Sequence, residues 1–257
     1  MKRITSITLL TGIGGVSLLG LFLADPIAQD PGYHRFADGR ALLGVANFGD
    51  VISNVPFVLA GLLGLRAAKP RPGDEARFAL PVERLMAVLA CLGILLVGPG
   101  SAYYHLTPNN GTLLWDRLPM TLGFMSVFAM VILERVSVKT GCVLLVPLLL
   151  LGVASVFYWH HTETLGRGDL RLYAWVQFFP TLSIPLMLFL FPPRYSGQRH
   201  LWMMIGWYAL AKGLEHFDAA VFALLGGGVS GHTLKHLAAA VGCWELVRYL
   251  RLRRRVP

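Results

Sequence analysis

Apolar residues fall in eight long runs separated by short polar stretches: about 4–24, 50–68, 84–104, 116–134, 140–159, 172–191, 200–225 and 231–250. Most come close to the ~20 residues that a helix needs to cross a bilayer. They are too long and too continuously apolar for barrel strands, which alternate over about ten residues. Inside lipid every backbone polar group must be satisfied within the structure, so helices are the remaining spanning form. The fold class read from the pattern is all-α, a polytopic transmembrane helical bundle. The seventh run is the least regular, because "KGLEHFD" (212–218) places charge inside it.

Composition agrees. Hydrophobic residues make up 55% of the 257 residues and charged residues 14%, against about 25% charged in soluble domains. The net charge of +9 raises nucleic-acid binding as an alternative. The basic residues, however, sit between the runs and in the tail "RYLRLRRRVP", where membrane topology accounts for them. With the N-terminus cytoplasmic, the inner segments hold sixteen Lys and Arg, from Lys2 and Arg3 to Arg255, and the outer segments five, Arg35, Arg40, Arg117, Arg167 and Arg171. Both termini are therefore expected in the cytoplasm, with no nucleic-acid partner. Short loops fit a bacterial inner membrane.

The first run competes with a cleaved signal peptide. Its apolar part, Ile4 to Ala24, exceeds the usual h-region of about 7–15 residues, and "ADPIAQD" is a poor cleavage site, so a retained helix is expected. Cys91, Cys142 and Cys243 lie within apolar runs and form no CxxC pair. They read as packing residues rather than ligands or disulfides.

This topology carries three polar clusters to one membrane depth. The third run ends outward near His105, the fourth starts there near Asp116, and the eighth starts there with "SGHTLKH" (230–236). His232 and His236 are four residues apart, so at about 100° per residue they share one helical face. Ser101 and His105 repeat that spacing. Two imidazoles so placed can bind one metal, and a third from another helix would complete a His₃ set with an open position, the arrangement of a catalytic zinc. Each residue also has a plainer reading. A lone interfacial His is often structural, Ser101 can simply pack after Gly98, Pro99 and Gly100, and Asp116 can cap a helix or pair with Arg117. Ionisable groups inside membranes are costly and tend to be functional, which weighs toward a site.

The sequence also resembles a known family. "GSAYYHLTPNN" (100–110), "LLWDRLPMT" (113–121) and "GHTLKHLAAA" (231–240) are similar to the alkaline ceramidases and the wider CREST group of membrane hydrolases. "NFGDVISNVPF" (47–57) resembles that family's first core helix. The resemblance runs from about 46 to 250. It implies a leading helix in residues 1–25, a seven-helix domain in 26–250 and a basic cytoplasmic tail in 251–257. It implies that His105, His232 and His236 ligate Zn²⁺, that Asp116 orients or deprotonates the attacking water, and that Ser101 contacts that water or the developing oxyanion. The implied partners are the bilayer and a lipid substrate, ceramide or a related N-acyl lipid, hydrolysed at its amide. Where family members carry a Glu of an N-terminal calcium site, the matching position here is Asn47, so no calcium site is expected.

Other readings stay open beside this one: a hydrolase of another acyl lipid, or a receptor or transporter with a structural metal. Bis-His haem ligation is disfavoured, because rings four residues apart share a face. Lys212, Glu215, His216, Asp218 and Lys235 read either as an ion-pair set or as support for the site, with Asp218 or Glu215 accepting from a ligand imidazole. His160 and His161 could line an entrance.

Overall fold

A computed structural model describes residues 3–256; Met1, Lys2 and Pro257, and with them the place of Lys2 in the charge count, lie outside the described residues. The long helices are α1 (Arg3–Leu23), α3 (Val55–Ala68), α4 (Pro81–Leu106), α5 (Asn110–Val131), α6 (Val138–Thr164), α7 (Arg171–Leu190), α8 (Gln198–His216) and α10 (Gly231–Leu252). Two short helices, α2 (Phe48–Ile52) and α9 (Asp218–Leu224), flank breaks in the second and seventh runs. A π-helical turn, Ile132–Val136, continues α5. Among the described residues there is no β-strand beyond isolated bridges.

Among the described residues, five segments are long and apolar enough to cross a membrane: Phe48–Ala68, Pro81–Leu106, Asn110–Val136, Val138–Thr164 and Arg171–Leu190. The seventh and eighth runs form helices too. They fall short in hydropathy because α8 and α10 carry charged residues such as Lys212, Glu215, Lys235 and Glu245. Helix α6 shows the lipid face directly. Val143, Val146, Leu150, Val153 and Phe157 recur at spacings of three and four and are 42–65% exposed. A stripe of that kind on a soluble surface would be an aggregation liability; in lipid it costs nothing.

Opposite faces pack by close backbone approach. A Cβ added to Gly61 of α3 would stand 2.5 Å from the Leu95 nitrogen of α4. Between α4 and α5, the bare Cα of Gly100 lies against the Trp115 carbonyl, and Gly93 lies against Gly123. Small residues permit such contacts where lipid offers no hydrophobic drive between helices. The Gly100–Trp115 contact has a consequence for chemistry: the next residue along each helix is Ser101 on one and Asp116 on the other.

Helix α5 begins at Asn110, capped by the Asn109 side chain, which accepts from the Gly111 and Thr112 nitrogens. Asp116 is therefore well inside the helix, and the capping reading of that residue is corrected. The reason is local: Asn109 with Thr112 already satisfies the orphan donors. The C-terminal segment also differs from a free basic tail. Arg253 is fully buried, paired with Glu134 and stacked over Phe78 and Tyr195. The backbone beyond it pairs with Ser196, Ala76 and Arg194 at 2.7–3.0 Å.

Candidate metal centre and cavity

Two helix ends converge at one end of the bundle. His105 comes from the last turn of α4, and His232 and His236 come from the first two turns of α10. Their ring centroids form a nearly equilateral triangle of 4.8, 4.9 and 5.0 Å. All three residues are buried, at 1–5% exposure. One ring nitrogen from each lies within 4.8 Å of the others, and the Nε2 atoms of His232 and His105 are 3.3 Å apart.

That edge fits a bound ion. At a zinc–nitrogen distance of about 2.0–2.1 Å, two ligands at a tetrahedral angle stand about 3.3–3.4 Å apart. A set of neutral imidazoles without thiolates is the donor chemistry of zinc or another borderline divalent ion. The environment also prepares one ring. Ser53 Oγ donates its single hydrogen to the Asp50 carbonyl at 3.1 Å. The same oxygen must then accept from Nδ1–H of His236 at 2.8 Å, which leaves the His236 Nε2 lone pair free.

Short-range sequence explains how each part is held. Ser230 caps α10 by accepting from the Thr233 nitrogen. Asp218, released from the helix by the break at Phe217, accepts from the His232 backbone nitrogen at 2.7 Å and from Ala37 at 2.9 Å. It therefore supports the helix end and the N-terminal loop, and the expectation that it takes an imidazole N–H is corrected. Glu215 is likewise not bonded to an imidazole; it holds Lys235 at 2.5 Å and also pairs with Lys212. Asn47, in the left-handed backbone region at φ 46°, donates from Nδ2 to the His105 carbonyl at 2.8 Å.

Sequence reasoning missed several contributors. The N-terminal loop covers the rings: Phe36 lies 4.6 Å, centroid to centroid, from both His105 and His232. His34 ties that loop to Tyr104 Oη at 2.9 Å and to Asn110 at 3.0 Å. Asp38 anchors it further through Arg40, whose guanidinium holds the Asp38 carboxyl below its ordinary range and also donates to the Gly228 carbonyl at 2.7 Å. Buried Asp50 accepts from Thr233 at 2.6 Å. "NFGDVISN" held the signal for Asn47, Asp50 and Ser53, as polar residues inside an apolar run. His160 and His161 are not among the residues lining the cavity described next.

Beside the His236 ring a cavity of about 370 Å³ runs into the bundle between α4, α5, α7, α8 and α10; of the three imidazoles His236 lines it. Its polar end holds Ser101, Asp116, Lys235 and His236, and its far end is apolar, with Val127, Ile184 and Leu246. Ser101, 2% exposed, hydrogen-bonds the Asp116 carboxylate.

A buried triangle of imidazoles, one of them lining an apolar cavity, within a lipid-facing helical bundle defines a multi-pass membrane protein with a candidate His₃ metal centre. The chain belongs to the ceramidase family, whose model, described as Ceramidase, matches residues 42–214. The match includes Ser101, His105 and Asp116 and ends before α10, which carries His232 and His236. A comparison with curated proteins returns no match. Membership implies a hydrolase of amide bonds acting on lipid.

Proposed function

We propose that the protein is a zinc-dependent intramembrane amidase that cleaves the N-acyl bond of a ceramide-like lipid. The convergence of His105, His232 and His236, with His236 and Asp116 lining one apolar cavity, carries this reading. The three imidazoles would hold the ion, which when bound supplies Lewis acidity and makes water a nucleophile near neutral pH. Asp116 takes the proton of the attacking water and returns it to the departing nitrogen. Ser101 orients that carboxylate. Once Asp116 is protonated, the Ser101 hydrogen is free to turn toward the developing oxyanion. The acyl chain lies in the apolar part of the cavity, and Phe36 helps to exclude bulk water from the rings.

The excess of basic residues at one end supports a site on the outer face with both termini cytoplasmic, as in a bacterial inner membrane. Helix α1 packs at the edge against α7, through Trp175 Nε1 donating to Ser17 Oγ at 3.1 Å. This supports a seven-helix functional unit in 26–250 with 1–25 as an added helix, and 251–257 as a clasp on the cytoplasmic side.

The test pairs metal analysis of purified protein with hydrolysis of an N-acylsphingosine. His232→Ala should lose both metal and activity, and Asp116→Asn should keep metal and lose about 10²–10⁴-fold in rate. Stoichiometric zinc with no turnover of any acyl lipid would favour a receptor or transporter with a structural metal instead.

A further inference from the structure

The polar end of the cavity holds more positive charge than cleavage of a neutral amide uses. Arg117, Lys212 and Lys235 line it against two carboxylates, Asp116 and Glu215. Glu215 is shared by both lysines. Arg117 forms no ion pair among the described residues. Its Nη2 donates to Gln29 Oε1 at 2.7 Å, while its Nη1 is buried with no partner. The residue is 5% exposed. Its guanidinium carbon sits 4.1 Å from the Trp159 ring centroid and 4.7 Å from that of Tyr173.

These contacts leave a specific deficit. Aromatic faces stabilise the cation, but they offer no acceptor to Nη1, and a buried donor without a partner is expensive. Stacking also fixes the guanidinium plane, and a fixed planar fork is suited to carboxylate or phosphate. Arg117 follows Asp116 directly, and the two residues both line the cavity and interact electrostatically. An oxyanion bound at Arg117 therefore sits close to the group that handles the amide proton.

We propose that Arg117 anchors an oxyanion carried near the scissile amide nitrogen, so that the substrate is an acidic N-acyl lipid, such as an N-acyl amino acid or a phosphorylated ceramide. This rests on the hydrolase reading above. The reaction is amide plus water: the C–N bond breaks, a C–O bond forms, and one water proton ends on the departing nitrogen. The products are a fatty acid and an amine that bears the anionic group. Lys235, between the two α10 histidines and lining the same end, adds to the positive potential there.

The experiment compares matched pairs in detergent micelles with zinc-loaded protein: N-palmitoylglycine against N-palmitoylethanolamine, and ceramide 1-phosphate against ceramide. The anionic member of at least one pair should be preferred by about thirtyfold or more in kcat/KM, through KM, and Arg117→Gln should collapse that ratio toward one. The pair that responds tells carboxylate from phosphate. Equal or better use of both neutral members, or a ratio unchanged in Arg117→Gln, overturns the assignment and leaves the hydrolase reading standing. Cleavage of none of the four lipids sinks the hydrolase reading and the substrate assignment together. In that case binding of hexadecyl phosphate against hexadecanol tests the anion site itself, and equal affinity removes it. Should Arg117→Gln fail to fold, the wild-type ratios decide.

Discussion

Replacing Ser53 by Ala tests how the centre is prepared. Ser53 is 4% exposed, and its oxygen receives Nδ1–H of His236 at 2.8 Å. Alanine removes one acceptor and leaves the ring its hydrogen bond to the Asp50 backbone, and the loss is felt only in one tautomer. In the metal-free protein the proton can move to Nε2, which faces the other two rings, so the penalty is avoided. With metal bound, Nε2 must present its lone pair, so the proton stays on Nδ1 with one acceptor fewer. A wholly unmet buried donor costs about 1–3 kcal/mol, and loss of one of two acceptors falls at the low end of that range. Loss of a partner behind a metal-bound imidazole costs about 10–100-fold in affinity, or about 1.4–2.8 kcal/mol. The low ends of the two ranges agree, and both fall on the loaded state. Ser53→Ala should therefore weaken zinc binding by about tenfold with little change in the thermal stability of the metal-free protein. A chelator-competition titration in detergent micelles reads this, with Ser126→Ala as control. Ser126 Oγ is buried without a partner and is not among the residues lining the cavity. Zinc affinity of Ser53→Ala within twofold of wild type would refute the reasoning.

Two further outcomes concern the scaffold. Arg253→Met strands the buried Glu134 carboxylate, which also accepts from Tyr249 Oη at 2.5 Å. It should lose about 3–5 kcal/mol of stability, and adding Glu134→Met should recover much of that; thermal unfolding checks both, and a single variant as stable as wild type would count against the clasp. On the opposite side of the bundle, Arg171 grips Asp169 through two hydrogen bonds of 2.8 and 2.9 Å and holds its carboxyl at about 2, below the ordinary 3.8. A depressed carboxyl pKa adds stability that is fully present above about 4 and is lost as pH falls through about 2. The gap in unfolding temperature between wild type and Asp169→Asn should therefore be full at pH 5 and close by pH 2.

Helix number and approximate span were legible in the sequence because lipid imposes a one-dimensional rule. Each segment must satisfy its own backbone, so a sustained apolar run is itself the signature of a helix. Spacing within one helix was legible for the same reason: His232 and His236, four residues apart, had to share a face. Partners from different helices were not. Whether Ser101 meets Asp116 depends on Gly100 letting α4 close onto the Trp115 carbonyl of α5, and pattern does not register such contacts. Asp218 looked like a partner for an imidazole because charge suggests pairing but not direction. In the folded chain the break at Phe217 turns it toward the backbone of α10 instead.

The sequence by itself determined that this chain is a helical membrane protein and that His232 and His236 could act together, since both follow from local geometry and from what lipid forbids. Only the tertiary structure decided that Ser53 supports the His236 ring, that Phe36 covers the cluster, and that Arg117 lines the cavity with one buried donor unpaired. Those facts depend on where distant backbones touch, and contact between helices is set by shape in three dimensions rather than by the order of residues along any one of them.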